Sequence, residues 1–133
     1  MGYSYSSNTL GVDFGTSNSA AGILLDGRPQ VLEIEPGQDT LPTSVFFDFA
    51  KGRMLVGSPA NQALIQGLEG RFMRSLKSVL GTSLMHEKRY IMGEELTFVD
   101  IIGRFLQAVK VNAEKATGRQ FDRALSGRPV HFH

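Results

Sequence analysis

The spacing of apolar residues changes several times along the chain, and each change predicts an element. Residues 9 to 14, TLGVDF, form a short apolar run, and NSAAGILL follows at 18 to 25. Asp26 and Gly27 mark a turn, and QVLEIE then alternates apolar with polar positions. This succession predicts a three-stranded antiparallel meander. Pro36 and Gly37 open a loop that runs to Pro42, after which SVFFDF and RMLVGS, separated by AKG, predict a second hairpin.

Helical spacing then takes over. Ser58 as N-cap, Pro59 at the first helical position and Gly67 past the end frame a short helix with Ala60, Ala63 and Leu64 on its inner side. A second helix is predicted from about Arg71, with Phe72, Met73, Leu76, Val79 and Leu80 as its apolar stripe and Gly81 as its stop; Arg74, Lys77 and Ser78 lie off that stripe. Residues 82 to 96 are weakly patterned, and RYIMGEELT suits a hairpin turning at Gly93. Thr97 and Asp100 resemble a capping box. They start a long helix that places Ile101, Ile102, Phe105, Leu106, Val109, Ala113 and Ala116 inward and ends at Gly118. FDRALSGRPVHFH is strand-like, interrupted by Gly127 and Pro129.

Composition narrows the class. With 133 residues, 41% hydrophobic and 20% charged, the chain suits about one globular domain. A net charge of +1 without a basic stripe argues against nucleic acid as partner. The absence of cysteine excludes disulfides and thiolate metal sites and fits a reducing compartment. MGYSYSSNTL carries no export signal, and AAGILL is too short to span a bilayer. Met1, Gly2 and Ser6 meet the loose myristoylation pattern, but no basic patch follows to supply a second anchor. Residues 1–8 are expected to be a flexible N-terminus, and no membrane partner is expected.

Candidate chemistry concentrates in GVDFGTSNSA, 11 to 20. A tight turn between strands can aim several backbone N–H groups at a phosphate when small residues leave the approach open. Gly15 allows positive φ or close approach of a ligand, Thr16 and Ser17 add hydroxyls, and Asn18 can brace the turn. Asp13, at the strand end, can hold a hydrated Mg²⁺ that accompanies the phosphates. The same residues also suit a plain hairpin turn. An acid placed directly after a buried-looking strand tilts the balance toward a ligand, because an unpaired carboxylate there is costly. Neither the Walker A nor the dinucleotide glycine spacing is present. His131 and His133 would share a side of a strand, yet His86 is the only other imidazole, so a histidine metal site is not expected.

GVDFGTSNSA resembles the first phosphate motif of the actin-like ATPase superfamily, in the form found in DnaK-type heat-shock chaperones. RPQVLEIEPGQDTLPTSVFFD is similar to that family's third strand and the crossing into its lobe IB. RMLVGSPANQALI is similar to the strand and helix that follow, RFMRSLKSVLG to the helix carrying a catalytic lysine, and RALSGRPVHF to a late strand with a valine-proline-alanine step. The resemblance spans about residues 9 to 133 and lies nearest the divergent bacterial YegD-like branch.

The resemblance implies an α/β fold: a partial actin-like ATPase (ribonuclease H-like) domain, its mixed sheet containing an antiparallel meander, plus a smaller IB lobe with helices. Residues 9–40 and 121–133 would form part of subdomain IA, and 41–120 subdomain IB. Gly15, Thr16, Ser17 and Asn18 would cradle the phosphates of ATP or ADP, Asp13 would meet Mg through water, and Lys77 would be catalytic; without the resemblance, Lys77 reads rather as a solvated helix lysine. Pro129 matches a proline tied to nucleotide-state relay, although Arg128, Val130 and His131 depart from the family pattern.

A second phosphate hairpin, an adenosine motif and a peptide-binding region do not occur in these residues. The implied protein is therefore a cytoplasmic, ATP-driven, stress-response chaperone represented by the N-terminal part of its nucleotide-binding domain. ATP turnover by this chain alone is not expected. Unfolded polypeptide clients would bind through a region not present here, and co-chaperones are further partners. The alternatives are a bacterial actin-like filament protein, whose corresponding helix usually lacks the lysine, and a sugar or acetate kinase of the same superfamily.

Overall fold

The computed structural model describes residues 9–126. The expectations for residues 1–8, Pro129, His131 and His133 lie outside the described residues. The meander is present as β1 (Thr9–Phe14), β2 (Asn18–Leu25) and β3 (Arg28–Val31), with β1 antiparallel to β2 and β2 to β3. The ladder ends at Val31, although Leu32 and Ile34 continue the alternation and are buried. β4 (Leu41–Pro42) adds to β2, and β10 (Arg123–Ser126) lies parallel to β1, which places the strands in the order β10-β1-β2-β3.

The second hairpin is also present, as β5 (Ser44–Asp48) and β6 (Arg53–Val56). All five residues of β5 are buried, and β7 (Gly70–Arg74) pairs with its other edge. The helix expected from Arg71 is therefore replaced by a strand followed by a 3₁₀ turn, Leu76–Val79. Every position of β5 takes a partner in β7, so a helix at 71 would leave one edge of a buried strand without hydrogen bonds. Ser75, in the left-handed region at φ 55° and ψ 43°, ends the strand and starts the turn.

α1 (Ser58–Ile65) is the short helix, but its cap is not Ser58. Gly57 holds that position, and the Glu35 carboxylate accepts hydrogen bonds from the Ser58 N–H at 2.8 Å and from its hydroxyl at 2.5 Å. Glu35 thus satisfies a helix-end donor from a loop 23 residues away in sequence. A side chain at Gly57 would crowd this clasp, since a Cβ there would lie 2.5 Å from the Glu35 Oε2. Ala60 and Ala63 face inward as expected, whereas Leu64 is 49% exposed.

A second 3₁₀ turn (Ser83–His86) leads to β8 (Arg89–Ile91) and β9 (Glu94–Leu96), a hairpin turning at Met92 and Gly93. α2 (Phe98–Thr117) begins with the expected capping box: Thr97 Oγ1 accepts from the Asp100 N–H, and the Asp100 carboxylate accepts from the Thr97 N–H at 2.9 Å. It ends at Gly118, as anticipated. Ile101, Ile102, Phe105, Val109 and Ala113 are buried and Leu106 partly so, while Ala116 is exposed. The main core joins this face to both larger sheets, through Val12, Phe14, Val45 and Phe47 among others. Phe14 and Phe105 meet with ring centroids 5.7 Å apart. A smaller cluster, Phe46, Ala60 and Ala63, seals α1 on the far face of β5.

Candidate functional site

β1 alternates strictly: Leu10, Val12 and Phe14 are buried, while Thr9, Gly11 and Asp13 lie on the half-buried opposite face. On that face Gly11 pairs with Gly22 and Asp13 with Ala20. Small neighbours leave room around the Asp13 carboxylate, which has no hydrogen-bond or ion-pair partner among the described residues. The core side of the strand thus fixes the acid, and the other side leaves it available.

Three residues, Gly15, Thr16 and Ser17, carry the chain from β1 into β2. Thr16, Ser17 and Asn18 are exposed, and among the described residues the amides of Gly15, Thr16 and Ser17 donate to no protein acceptor. The need for glycine at 15 differs from the expectation. Its φ is not in the positive range, but a Cβ there would collide with the Asn18 carbonyl oxygen, so the residue is required by backbone packing within the turn itself. The outcome is a tight bend with outward amides beside a carboxylate, which suits an oxyanion and its counter-ion. The cation would have a single protein carboxylate: among the described residues no group of three or more His, Cys, Asp or Glu could hold a metal ion, and His86 is exposed. One unpartnered acid fits a metal that keeps most of its water and is shared with phosphate oxygens.

The turn is tied to the second sheet by a succession of bonds. The Ser17 carbonyl accepts from the Thr43 N–H at 2.9 Å, and the Ser19 and Thr43 hydroxyls share a buried hydrogen bond of 2.7 Å. Thr43 is followed by Ser44, which pairs with Arg74 at the end of β7. Ser75 then redirects the chain into the 3₁₀ turn that carries Lys77. Lys77 is half-buried and has no ion-pair partner among the described residues. The structure therefore connects the turn and the strand end before Lys77 through Thr43 and Ser44. Neither residue was singled out in the sequence, because their value lies in pairing across sheets, which periodicity does not encode.

The shifted acids lie elsewhere. Burial opposes ionisation of Asp48, but the Arg53 guanidinium at 3.1 Å and the Lys51 and Ala50 amides outweigh it and leave its pKa lowered. The Phe121 N–H, then Lys110, lower Glu114, and Thr97 lowers Asp100. These groups hold a β-turn, the end of α2 and its start, so their shifts mark structural bonds.

Residues 9–133 match the family model described as "Hsp70 protein". The chain is 33% identical over 127 residues to "Chaperone protein DnaK" of Methanothermobacter thermautotrophicus, covering 92% of this chain and 20% of that protein. It is 32% identical over 131 residues to proteins of the same name from Halobacterium salinarum and Thermoplasma acidophilum, covering 96% of this chain and 20% and 21% of theirs. The chain thus spans about a fifth of the length of the relatives it matches.

Proposed function

Because the chain belongs to the Hsp70 family, we propose that it supplies one wall of the ATP site of a DnaK-like molecular chaperone, with the α/β fold of the actin-like ATPases as its frame. In this reading residues 9–40 with 121–133 belong to subdomain IA, and residues 41–120 form subdomain IB. The amides and hydroxyls of Gly15, Thr16, Ser17 and Asn18 receive the phosphates of ATP or ADP, and Asp13 would hold a hydrated Mg²⁺ that screens their charge. Lys77 donates to the phosphoryl group and orients the attacking water. As the new P–O bond forms, the bond to the bridging oxygen breaks, giving ADP and inorganic phosphate.

The observation that carries the reading is the set of amides at Gly15, Thr16 and Ser17 and the Asp13 carboxylate at the strand end before them, none of which has a partner among the described residues. A plain turn also leaves its central amides to water, so it is the acid on the adjoining strand, without a partner among the described residues, that favours a ligand. The continuity from Ser17 through Thr43 and Ser44 to Arg74 supports including Lys77 in the same site. Unfolded polypeptides as clients, co-chaperones as partners and a cytoplasmic location follow from the named relatives only as part of this proposal. Among the described residues no helix is long and apolar enough to cross a membrane.

The test is single-turnover ATP hydrolysis by the full-length protein and its Lys77→Ala variant, with ADP affinity measured alongside. We expect hydrolysis to fall by roughly a hundredfold or more while ADP affinity stays within a few-fold. Unchanged hydrolysis would remove Lys77 from the catalytic role. Lost ADP affinity would make it a binding residue instead.

A further inference from the structure

A cavity of about 340 Å³ lies against the β1–β2 turn, and Ser17, Thr43, Ser44, Asn61, Arg74 and Ser75 supply its polar lining. It thus shares Ser17 with the proposed phosphate turn and reaches to within two residues of Lys77. Its lining contains no acid, and Arg74 is its only charged side chain. Among the described residues Arg74 has no ion-pair partner. Asn61 Oδ1 accepts the Ser44 hydroxyl at 2.7 Å, which leaves its amide N–H groups to donate. Phe72 and the half-exposed Leu64 form an apolar side to the cavity, and Arg74 is exposed, so its guanidinium can be reached from solvent.

A planar guanidinium, an amide with its acceptor already engaged and hydroxyls, with no carboxylate, are what a small oxyanion requires. The geometry points to an oxyanion subsite, built by Arg74 and Asn61 beside the phosphate turn, that takes the inorganic phosphate released by hydrolysis. Resting on the nucleotide reading above, this gives the cleaved phosphate a place to move that is not the place where it was cleaved. The left-handed Ser75 serves both sides, since Arg74 precedes the kink and Lys77 follows it.

Inorganic phosphate alone, titrated into the isotopically labelled full-length protein and followed by amide chemical shifts, tests the subsite; MgADP titrated into a separate sample of the same protein tests the nucleotide reading. Phosphate should give saturating shifts at Asn61, Arg74 and Ser75. Arg74→Gln should weaken the midpoint about tenfold, and Asn61→Ala should weaken it as well, with the spectra of both variants establishing that the fold persists. Shifts that fail to saturate, that chloride reproduces, or that neither variant weakens would overturn the subsite. A response to MgADP at Gly15 to Asn18 with no phosphate response at Arg74 would also overturn it, leaving the nucleotide reading in place. Saturation by phosphate with no response to MgADP would support the subsite and remove the nucleotide reading.

Discussion

Gly15 occupies a position where one added carbon meets the Asn18 carbonyl oxygen rather than solvent. Gly15→Ala should therefore open the turn, cost about 1–3 kcal/mol of stability in urea unfolding, and weaken ADP binding by the full-length protein. Ordinary stability with ordinary affinity would mean that the bend tolerates a side chain. Asp48 behaves differently, because its effect depends on pH. Its pKa is lowered on folding, so the stability it contributes is present above the ordinary carboxylate range and is lost as pH falls through the depressed value. Urea midpoints measured down the acid limb should fall less steeply in Asp48→Asn than in the parent, the variant starting from a lower midpoint at neutral pH. The residues of the proposed site stand out in GVDFGTSNSA because acid, glycine and hydroxyls sit side by side. Their wiring to Lys77 was not, because Thr43 and Ser44 act through partners far along the chain.

At the scale of elements, signals written in neighbouring residues held. The Thr97–Asp100 box starts α2 and Gly118 ends it, and the apolar runs in 9–25 and the hairpin segments in 44–56 form strands, whereas the alternating QVLEIE keeps strand pairing only to Val31. Thr97→Ala should cost about 1 kcal/mol, and adding Asp100→Ala should cost less than a second such increment, because the two groups bond each other reciprocally. Thermal unfolding of the single and double variants checks this; fully additive losses would mean that the box does not act as a unit. What failed was the stretch after Gly70. Phe72, Met73, Leu76 and Val79 have helical spacing, yet the open edge of β5 recruits Gly70–Arg74 as a strand, and Ser75 cuts the pattern in two. Tertiary demand overrode local spacing there. The cap of α1 was missed for a similar reason, since the acceptor is Glu35 in a distant loop.

For the molecule as a whole, α2 is the member that both larger sheets share. Phe105 is fully buried in the cluster that includes Phe14 from one sheet and Phe47 from the other. Phe105→Ala should cost about 3–5 kcal/mol, and the unfolding curves followed by the methyl signals of Val12 in one sheet and Val45 in the other should still coincide. Separate midpoints would show the sheets melting independently. The parallel pairing of β1 with β10 reaches furthest, since Thr9 aligns with Arg123. On the ribosome, the strand that leads into the proposed phosphate turn waits for its neighbour on one side until the more than one hundred residues between Thr9 and Arg123 have been synthesised, a delay on the order of ten seconds at ordinary elongation rates. During that interval one edge of β1 is left without its hydrogen-bonding neighbour, an unpaired row of donors and acceptors that only the last-made strand among the described residues can close.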